Sequence, residues 1–348
     1  MIYSLENGGA ERVLSTLSNY FIKTNKVTIL TFKNGTPYYK LNKNIIVKSI
    51  NSSNNSNNIF EAIKNNFITI INLTKTIKKI NPDVVISFMT TSNILATISC
   101  KIINKPIIIS ERVNYDIIRS KIWKNIRKFI YPFSDYLVVQ SNYDLEKYSF
   151  VKNTEIIYNP LFFNEPIENK DREKFILAVG RLDKQKGFDI LIEAYSKLDT
   201  DFKLIIVGEG TERESLENLI SRENLSSNVE LVGRKSDIID YYNRTSIFVL
   251  SSRFEGFPNA LCEAMACGCP SIAFDCKTGP SNIIENGING ILVEPENVEK
   301  LSLAMKYLLE NVELRNRLSD NAMRITEKLN IENIASQWGE IINKLKFN

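Results

Sequence analysis

The sequence predicts an α/β protein of two doubly wound, Rossmann-like domains, and three observations predict it. At 348 residues the chain is long for one hydrophobic core and comfortable for two. Short β-branched runs alternate with helical patterns along its length, as expected of strands buried on both faces of a parallel sheet. The rhythm breaks at a polar, proline-bearing stretch, 158–174, and restarts beyond it with strands about 20–30 residues apart. The expected divisions are an N-terminal domain over 1–164, a second domain over 165–329, and a C-terminal helix over 330–348 that crosses back onto the first.

In the first half, strands are expected at 2–5, 27–32, 83–88, 106–110, 136–140 and 154–158. The first begins almost at Met1, so either this start is late or the first strand is short. "NSSNNSNN" (51–58) has nothing to bury and reads as a polar loop. The stretch 158–174, with Pro160 and Pro166, reads as an interdomain linker. In the second half "KFILAVGRL" is a strand and loop, "FDILIEAYSKL" a helix, "FKLIIVGEG" a strand, "ESLENLISREN" a helix and "NVELVG" a strand. "SDIIDYYNRT" is helical, "SIFVLSS" a strand and "NALCEAMACG" a helix ending at Gly268, and "PSIAFD" and "GILVE" close the sheet. Two such sheets in tandem would place a cleft between their carboxyl ends, where doubly wound folds take ligands.

Composition removes whole classes of chemistry. The chain has no histidine, which excludes Ser-His and Cys-His nucleophile pairs, histidine metal ligands and histidine general bases together. Its five cysteines, Cys100, Cys262, Cys267, Cys269 and Cys276, have no second cluster and fit free thiols in a reducing compartment better than zinc. The net charge of +4 is unevenly spread. Residues 1–165 carry 21 Lys and Arg against 11 Asp and Glu, while residues 166–348 carry 23 against 29. The basic half is expected to face something anionic. No run approaches the roughly 20 apolar residues needed to span a bilayer, and no signal peptide opens the chain, so a cytoplasmic protein is expected.

Three segments concentrate chemistry. In "RFEGFPNALCEAMACGCP" (253–270), Glu255 precedes a Phe-Pro pair and Glu263 follows it. Pro258 suits the first helical position, leaving the N–H groups from Asn259 onward to form an anion site. One acid could face a group at the helix tip and the other could reach along the same ligand, as a sugar diphosphate with hydroxyls at both ends would require. A solvated loop Glu and a helix-surface Glu would give the same pattern. In "AVGRLDKQKGFDIL" (178–191), Arg181 and Lys186 are spaced to neutralise a diphosphate leaving group, although a surface basic loop reads alike. In "NGGAERVL" (7–14), Gly8 and Gly9 let backbone approach a ligand at a helix start. Gly208, Glu209, Gly233 and Arg234, each just after a strand, are expected to wall a nucleotide pocket. "DTD" (199–201) lies between helix and strand and reads as a turn rather than a metal site.

Together these segments resemble the retaining glycosyltransferase family 4, with the GT-B fold of two Rossmann-like domains facing across a cleft. The likeness covers nearly the whole chain through G-R-L-x-x-x-K-G and E-x7-E, and "PDVVISF", "ISERVNY" and "KTGPSNIIENGINGILVE" look most like its bacterial surface-glycan members. The resemblance implies that Arg181 and Lys186 bind the donor diphosphate and that Glu255 contacts the transferred sugar. It implies that Phe257, Pro258, Asn259 and Ala260 present backbone to sugar and phosphate and that Glu263 holds the ribose. Glu111, Arg112 and Asn114 would lie on the acceptor or sugar side. Two positions depart from the family: many relatives have a histidine near the donor sugar, and many have an acid where this chain has Asn282.

The expected activity is metal-independent, retaining transfer of a hexosyl or N-acetylhexosaminyl group, with no cofactor. The expected donor is a UDP-sugar and the acceptor a polyprenyl-diphosphate-linked saccharide, in bacterial O-antigen, lipopolysaccharide or capsule biosynthesis. A sugar-nucleotide epimerase or hydrolase and a non-catalytic partner subunit are the alternatives. "YDIIRSKIWKNIRKFIYPF" (115–133) mixes cations with Ile and aromatics. It is expected to seat Lys121, Trp123, Lys124, Arg127 and Lys128 on an anionic membrane, placing the protein peripherally at the inner face. A buried helix with a basic edge is the alternative. No nucleic acid is expected, because no recognition module accompanies the charge.

Overall fold

The computed structural model describes residues 1–52, 59–118, 120–162 and 172–346, so parts of the polar loop 51–58 and of the linker 158–174 lie outside the described residues. The chain forms two compact units. One comprises residues 1–162 and 329–348, the other residues 163–328.

The first unit runs α1 (Gly9–Phe21), β1 (Thr28–Thr31), β2 (Ile46–Ser49), α2 (Ile59–Ile80), β3 (Val85–Phe88), α3 (Thr90–Ile102), β4 (Ile107–Ser110), α4 (Lys121–Ile130), β5 (Tyr136–Val139), α5 (Asn142–Lys147) and β6 (Thr154–Ile156). β3, β4, β5 and β6 pair in that order and β1 pairs with β2, all parallel. Residues 1–3 sew the two sheets together. Ile2 bridges Thr31, and the Phe88 N–H donates to the Met1 carbonyl at 2.9 Å. The strand expected at 2–5 therefore shrinks to a bridge. Beyond Tyr3 the chain leaves the ladder, with the Leu5 carbonyl accepting from the Tyr38 N–H at 2.8 Å. β2 was not expected from the sequence. Ile46, Val47 and Lys48 are all exposed, so it lacks the buried alternation that marks a strand.

The core of this unit is the apolar filling between sheet and helices: Leu30 within β1 and Phe32 just after it, Ile107, Ile109, Leu137 and Val139 within the four-stranded sheet, Leu73 and Ile77 from α2. Each such side chain contributes about 1.5–3 kcal/mol by leaving water.

The second unit runs β7 (Glu173–Val179), α6 (Phe188–Tyr195), β8 (Lys203–Val207), α7 (Arg213–Arg222), β9 (Val229–Leu231), α8 (Ile238–Arg244), β10 (Thr245–Leu250), α9 (Asn259–Ala266), β11 (Ser271–Phe274), α10 (Pro280–Ile283) and β12 (Ile291–Val293). Then follow α11 (Val298–Glu310), α12 (Val312–Ala322) and α13 (Ile325–Leu329). Asn297 and Asn311 cap α11 and α12, accepting from the Lys300 and Leu314 N–H groups at 3.0 and 2.9 Å. The sheet is six-stranded and parallel, in the order β12-β11-β10-β7-β8-β9. Strand order therefore reverses between β7 and β10, and the carboxyl edge at that reversal is where a doubly wound sheet takes its ligand.

The last helix, α14 (Ile331–Lys346), packs on α1 in the first unit. Its Trp338 is fully buried, with its ring 6.0 Å from that of Phe88.

Candidate active site

Two loops meet at the reversal because their strands are neighbours. One leaves β7 over 180–187 and the other leaves β10 over 251–258. Gly187 stands at φ +64°, and a Cβ there would come within 2.1 Å of the Ser251 carbonyl oxygen, so only glycine lets the loops approach this closely. Arg253 stitches them further, its N–H donating to the Gln185 carbonyl at 2.8 Å and its guanidinium to both Asp189 carboxylate oxygens.

The outcome is an ion pair between residues 69 apart in sequence: Lys186 Nζ lies 2.7 Å from Glu255 Oε1. The side chains are 16% and 5% exposed, so solvent screens them little. The Ser252 hydroxyl donates to the same Glu255 oxygen at 2.6 Å, and the Thr278 hydroxyl donates to the Glu255 carbonyl. Glu255 is thus fixed from side chain and backbone together.

Arg181 does not join this pair. Its side chain is 72% exposed and its Nη2 lies 3.1 Å from Asp183 Oδ2. Glu263 is buried on α9 and accepts from the Tyr242 hydroxyl at 3.1 Å. Pro258 is the residue before α9 rather than its first, with φ −82° and ψ 67°. The Asn259 N–H donates to the Phe257 carbonyl at 2.9 Å, so it is not among the groups left for an anion, which corrects the sequence reading. Phe257 is itself buried, and Ala260 is half-buried.

The next loops along the carboxyl edge hold Gly208, Glu209, Gly233 and Arg234. The Gly208 N–H donates to the Gly233 carbonyl at 2.9 Å. A Cβ on Gly208 would meet the Gly180 oxygen at 1.7 Å, so this close approach of backbones requires glycine. Glu209 accepts a forked contact from Arg213 at 2.7 and 2.9 Å, which holds its carboxyl below the usual range. Arg234 is exposed. The decoy Asp199-Thr200-Asp201 sits before β8, at the amino edge, where Asp201 pairs with Lys174.

In the first unit Gly8 precedes α1 and Gly9 opens it. The Glu11 carboxylate lies over Gly8 at the spot where a Cβ would stand, and burial pushes its carboxyl up. Glu111, Arg112 and Asn114 follow β4. Glu111 is buried and accepts from Thr90 at 2.9 Å and from the Tyr131 hydroxyl. Burial raises its carboxyl despite these donors. Arg112 lies over Phe88 and Trp338, donates to Asn159 at 2.6 Å, and is pushed down to about 9 by burial. Asn114 accepts from the Asp116 N–H at 2.7 Å and caps the turn. Beside them Met89 holds φ +74°, a conformation that costs a non-glycine residue about 1–3 kcal/mol.

Of the residues expected at a membrane, Lys121, Trp123 and Lys128 are exposed and Lys124 is half-exposed. Arg127 does not belong with them. It is fully buried, with its guanidinium 3.9 Å from the Tyr115 ring centre and 5.0 Å from that of Tyr148. It lies on the opposite side of α4 from Ile122 and Phe129, which are 69% and 70% exposed, and so cannot meet a lipid surface. Sequence reasoning also missed α2, whose solvent face carries Phe60, Ile63, Phe67 and Ile71, at 85, 62, 64 and 37% exposed. Their spacing of 3, 4 and 4 was legible, but a second apolar stripe at helical period reads as core. No helix among the described residues is long and apolar enough to cross a membrane.

Comparisons with known proteins give the family and the fold. The family model "Glycosyltransferase Family 4" matches residues 7–161, and "Glycosyl transferases group 1" matches residues 162–324. The chain is 31% identical to the Campylobacter jejuni GalNAc-alpha-(1->4)-GalNAc-alpha-(1->3)-diNAcBac-PP-undecaprenol alpha-1,4-N-acetyl-D-galactosaminyltransferase, over 99% of this chain and 98% of that one. It is 32% identical, over 92% of each, to the same organism's N-acetylgalactosamine-N,N'-diacetylbacillosaminyl-diphospho-undecaprenol 4-alpha-N-acetylgalactosaminyltransferase. Among solved structures, Anabaena HepE in complex with UDP superposes with a TM-score of 0.80 at 18% identity, covering 99% of this chain and 98% of that one. This is a likeness of fold.

Proposed function

The chain belongs to the family 4, group 1 glycosyltransferases and has their GT-B fold, and from that premise we propose that it moves a sugar with retention from a UDP-sugar to a polyprenyl-diphosphate-linked saccharide. The transferred group is a hexosyl or N-acetylhexosaminyl unit, the setting is bacterial surface polysaccharide synthesis, and no metal takes part. The observation that carries this reading is the Lys186–Glu255 pair at the strand reversal. Lys186 has a fixed carboxylate on one side and can offer its remaining N–H donors to a diphosphate, while Arg181 stands exposed at the mouth of the same loop. These cations supply in the protein the charge that a metal would supply elsewhere. UDP is supported by its presence in the HepE complex, and a polyprenyl acceptor by the undecaprenol-linked substrates in the names of both Campylobacter relatives. Those relatives, matched over nearly their full length, are transferases, which favours transfer over epimerisation or hydrolysis.

In the reaction the bond from the sugar C1 to the β-phosphate oxygen breaks, and the acceptor hydroxyl oxygen bonds to C1 on the same face. The acceptor's proton passes to the departing phosphate, whose charge Arg181 and Lys186 stabilise. Glu255 accepts hydrogen bonds from the sugar, and Glu263 from the ribose.

The acceptor is embedded in lipid, so the enzyme works peripherally at the cytoplasmic face of the membrane. α4 offers Ile122, Trp123 and Phe129 among Lys121, Lys124 and Lys128, and α2 offers its exposed stripe beside Lys64, Lys75 and Lys78. Both helices therefore present apolar and basic surface together, as an anionic bilayer requires.

The deciding experiment follows transfer from a panel of UDP-sugars to a synthetic polyprenyl-diphosphate saccharide by mass spectrometry, in excess EDTA. Arg181→Ala should lower kcat/KM about 100-fold or more with an unchanged melting temperature, because its side chain is exposed. Lys186→Ala should lose as much activity and also lose stability, because it strands Glu255 in a buried site. Product in the absence of EDTA only, or full activity in Arg181→Ala, would overturn the assignment.

A further inference from the structure

Besides Arg181 and Lys186, the loop 180–187 holds two charged residues that are assigned no role above, Asp183 and Lys184, and the first of them contacts both of the assigned residues. Asp183 divides its two carboxylate oxygens between the Arg181 guanidinium and the Lys186 backbone. Oδ2 lies 3.1 Å from Arg181 Nη2, and Oδ1 accepts the Lys186 backbone N–H at 3.3 Å. Its backbone makes the same two connections: the Asp183 N–H donates to the Arg181 carbonyl at 2.8 Å, and its carbonyl accepts from the Lys186 N–H at 3.1 Å. The carboxylate thus caps the short turn Lys184–Lys186 that carries Lys186 to Glu255.

The rest of this loop is tied to its neighbour without Asp183. The Gln185 side chain donates to the Phe254 carbonyl at 2.9 Å, and the Lys186 carbonyl accepts from the Ser251 hydroxyl at 2.9 Å. Arg181 has no such tie, and Asp183 is its one salt-bridge partner among the described residues. A lone exposed arginine samples many rotamers and must be ordered when it binds. A guanidinium held through one nitrogen keeps its other donors for a phosphate oxygen.

We infer that Asp183 is a positioning residue for the donor diphosphate, holding Arg181 aimed and Lys186 in its turn before the nucleotide-sugar arrives. The inference rests on the donor-site reading above. A negative charge beside a diphosphate site opposes binding unless it is neutralised, and here it is neutralised by the cation it orients. Its structural contribution is small, since exposed ion pairs add little to folding.

The test uses the full chain and UDP as the probe, with binding measured by calorimetry for the wild type, Asp183→Asn, Arg181→Ala, Lys186→Ala and the Asp183→Asn/Arg181→Ala double variant. Asparagine keeps an oxygen to cap Lys186 but loses the charge that holds Arg181. Asp183→Asn should weaken UDP binding about tenfold, the scale of losing one charge-assisted positioning contact, with an unchanged melting temperature. In the Arg181→Ala background the same substitution should have no further effect. UDP binding by Asp183→Asn as tight as wild type or tighter, with Arg181→Ala impaired, overturns the inference and leaves the donor site standing. So does an equal loss in both backgrounds, which would mean that Asp183 acts without Arg181. Normal UDP binding by Arg181→Ala and Lys186→Ala alike overturns the donor-site reading, and the inference with it.

Discussion

Glu255 and Glu111 are the same buried side chain in opposite surroundings. Glu255 is buried against the Lys186 ammonium, and under the proposed function it receives sugar hydroxyls. Glu111 is buried with only hydroxyl donors in contact, and burial raises its carboxyl. A carboxyl whose folded value lies above its unfolded one adds stability below the unfolded value, about pH 4.3 for Glu, and that stability is lost as pH rises through the folded value. Glu111→Gln should therefore gain stability relative to wild type as pH rises from 4 to 8. Urea unfolding across that range checks it, and a pH-independent difference would mean that Glu111 titrates normally. Glu255, Glu263, Arg181 and Lys186 stood out as candidates by their spacing, and the structure pairs Lys186 with Glu255. Ser252, Thr278 and Tyr242, which fix the two acids, carried no sequence signal, because hydroxyls are common and these contacts span 3 to 23 residues.

Among the elements, α4 and α2 correct each other. The cation-aromatic mixture in α4 suggested that Arg127 joins the lysines at a membrane, but Arg127 turns inward, and its guanidinium stacks on Tyr115 and Tyr148 and donates to the Tyr115 carbonyl at 3.3 Å. Spacing alone cannot distinguish a buried arginine from an exposed one when aromatics flank both sides. The lipid contact is accordingly expected from Phe60 and Phe67 of α2 with Ile122 and Phe129 of α4. Replacing Phe67 and Phe129 with Ser should lower the affinity for vesicles rich in anionic lipid about 100-fold or more, each aromatic contributing about 1.5–3 kcal/mol when buried. Transfer to a short, water-soluble acceptor should be unaffected. Unchanged vesicle binding would place the contact on another surface, and equal loss with both acceptors would mean that the substitutions damage the fold.

At the scale of the whole molecule, each unit has its own core, and the last helix returns to the first unit through Trp338. Trp338→Ala should cost about 3–5 kcal/mol, as for other fully buried aromatics, and act on the first unit alone. Calorimetry should show an early transition that UDP does not raise and a later one that it does. A uniform shift of both would mean that the two units unfold together. Local sequence determined the alternation of strands and helices, and with it two doubly wound sheets, because the period of apolar residues is a property of neighbours in the chain. It also placed Arg181 and Lys186 where a strand must end and a helix begin. Strand order belongs to the tertiary structure, and it makes β7 and β10 neighbours and so brings Lys186 within 2.7 Å of Glu255 across 69 residues. The direction in which Arg127 points was settled in the same way, by what packed beneath α4, since a helix's two faces differ only once something covers one of them.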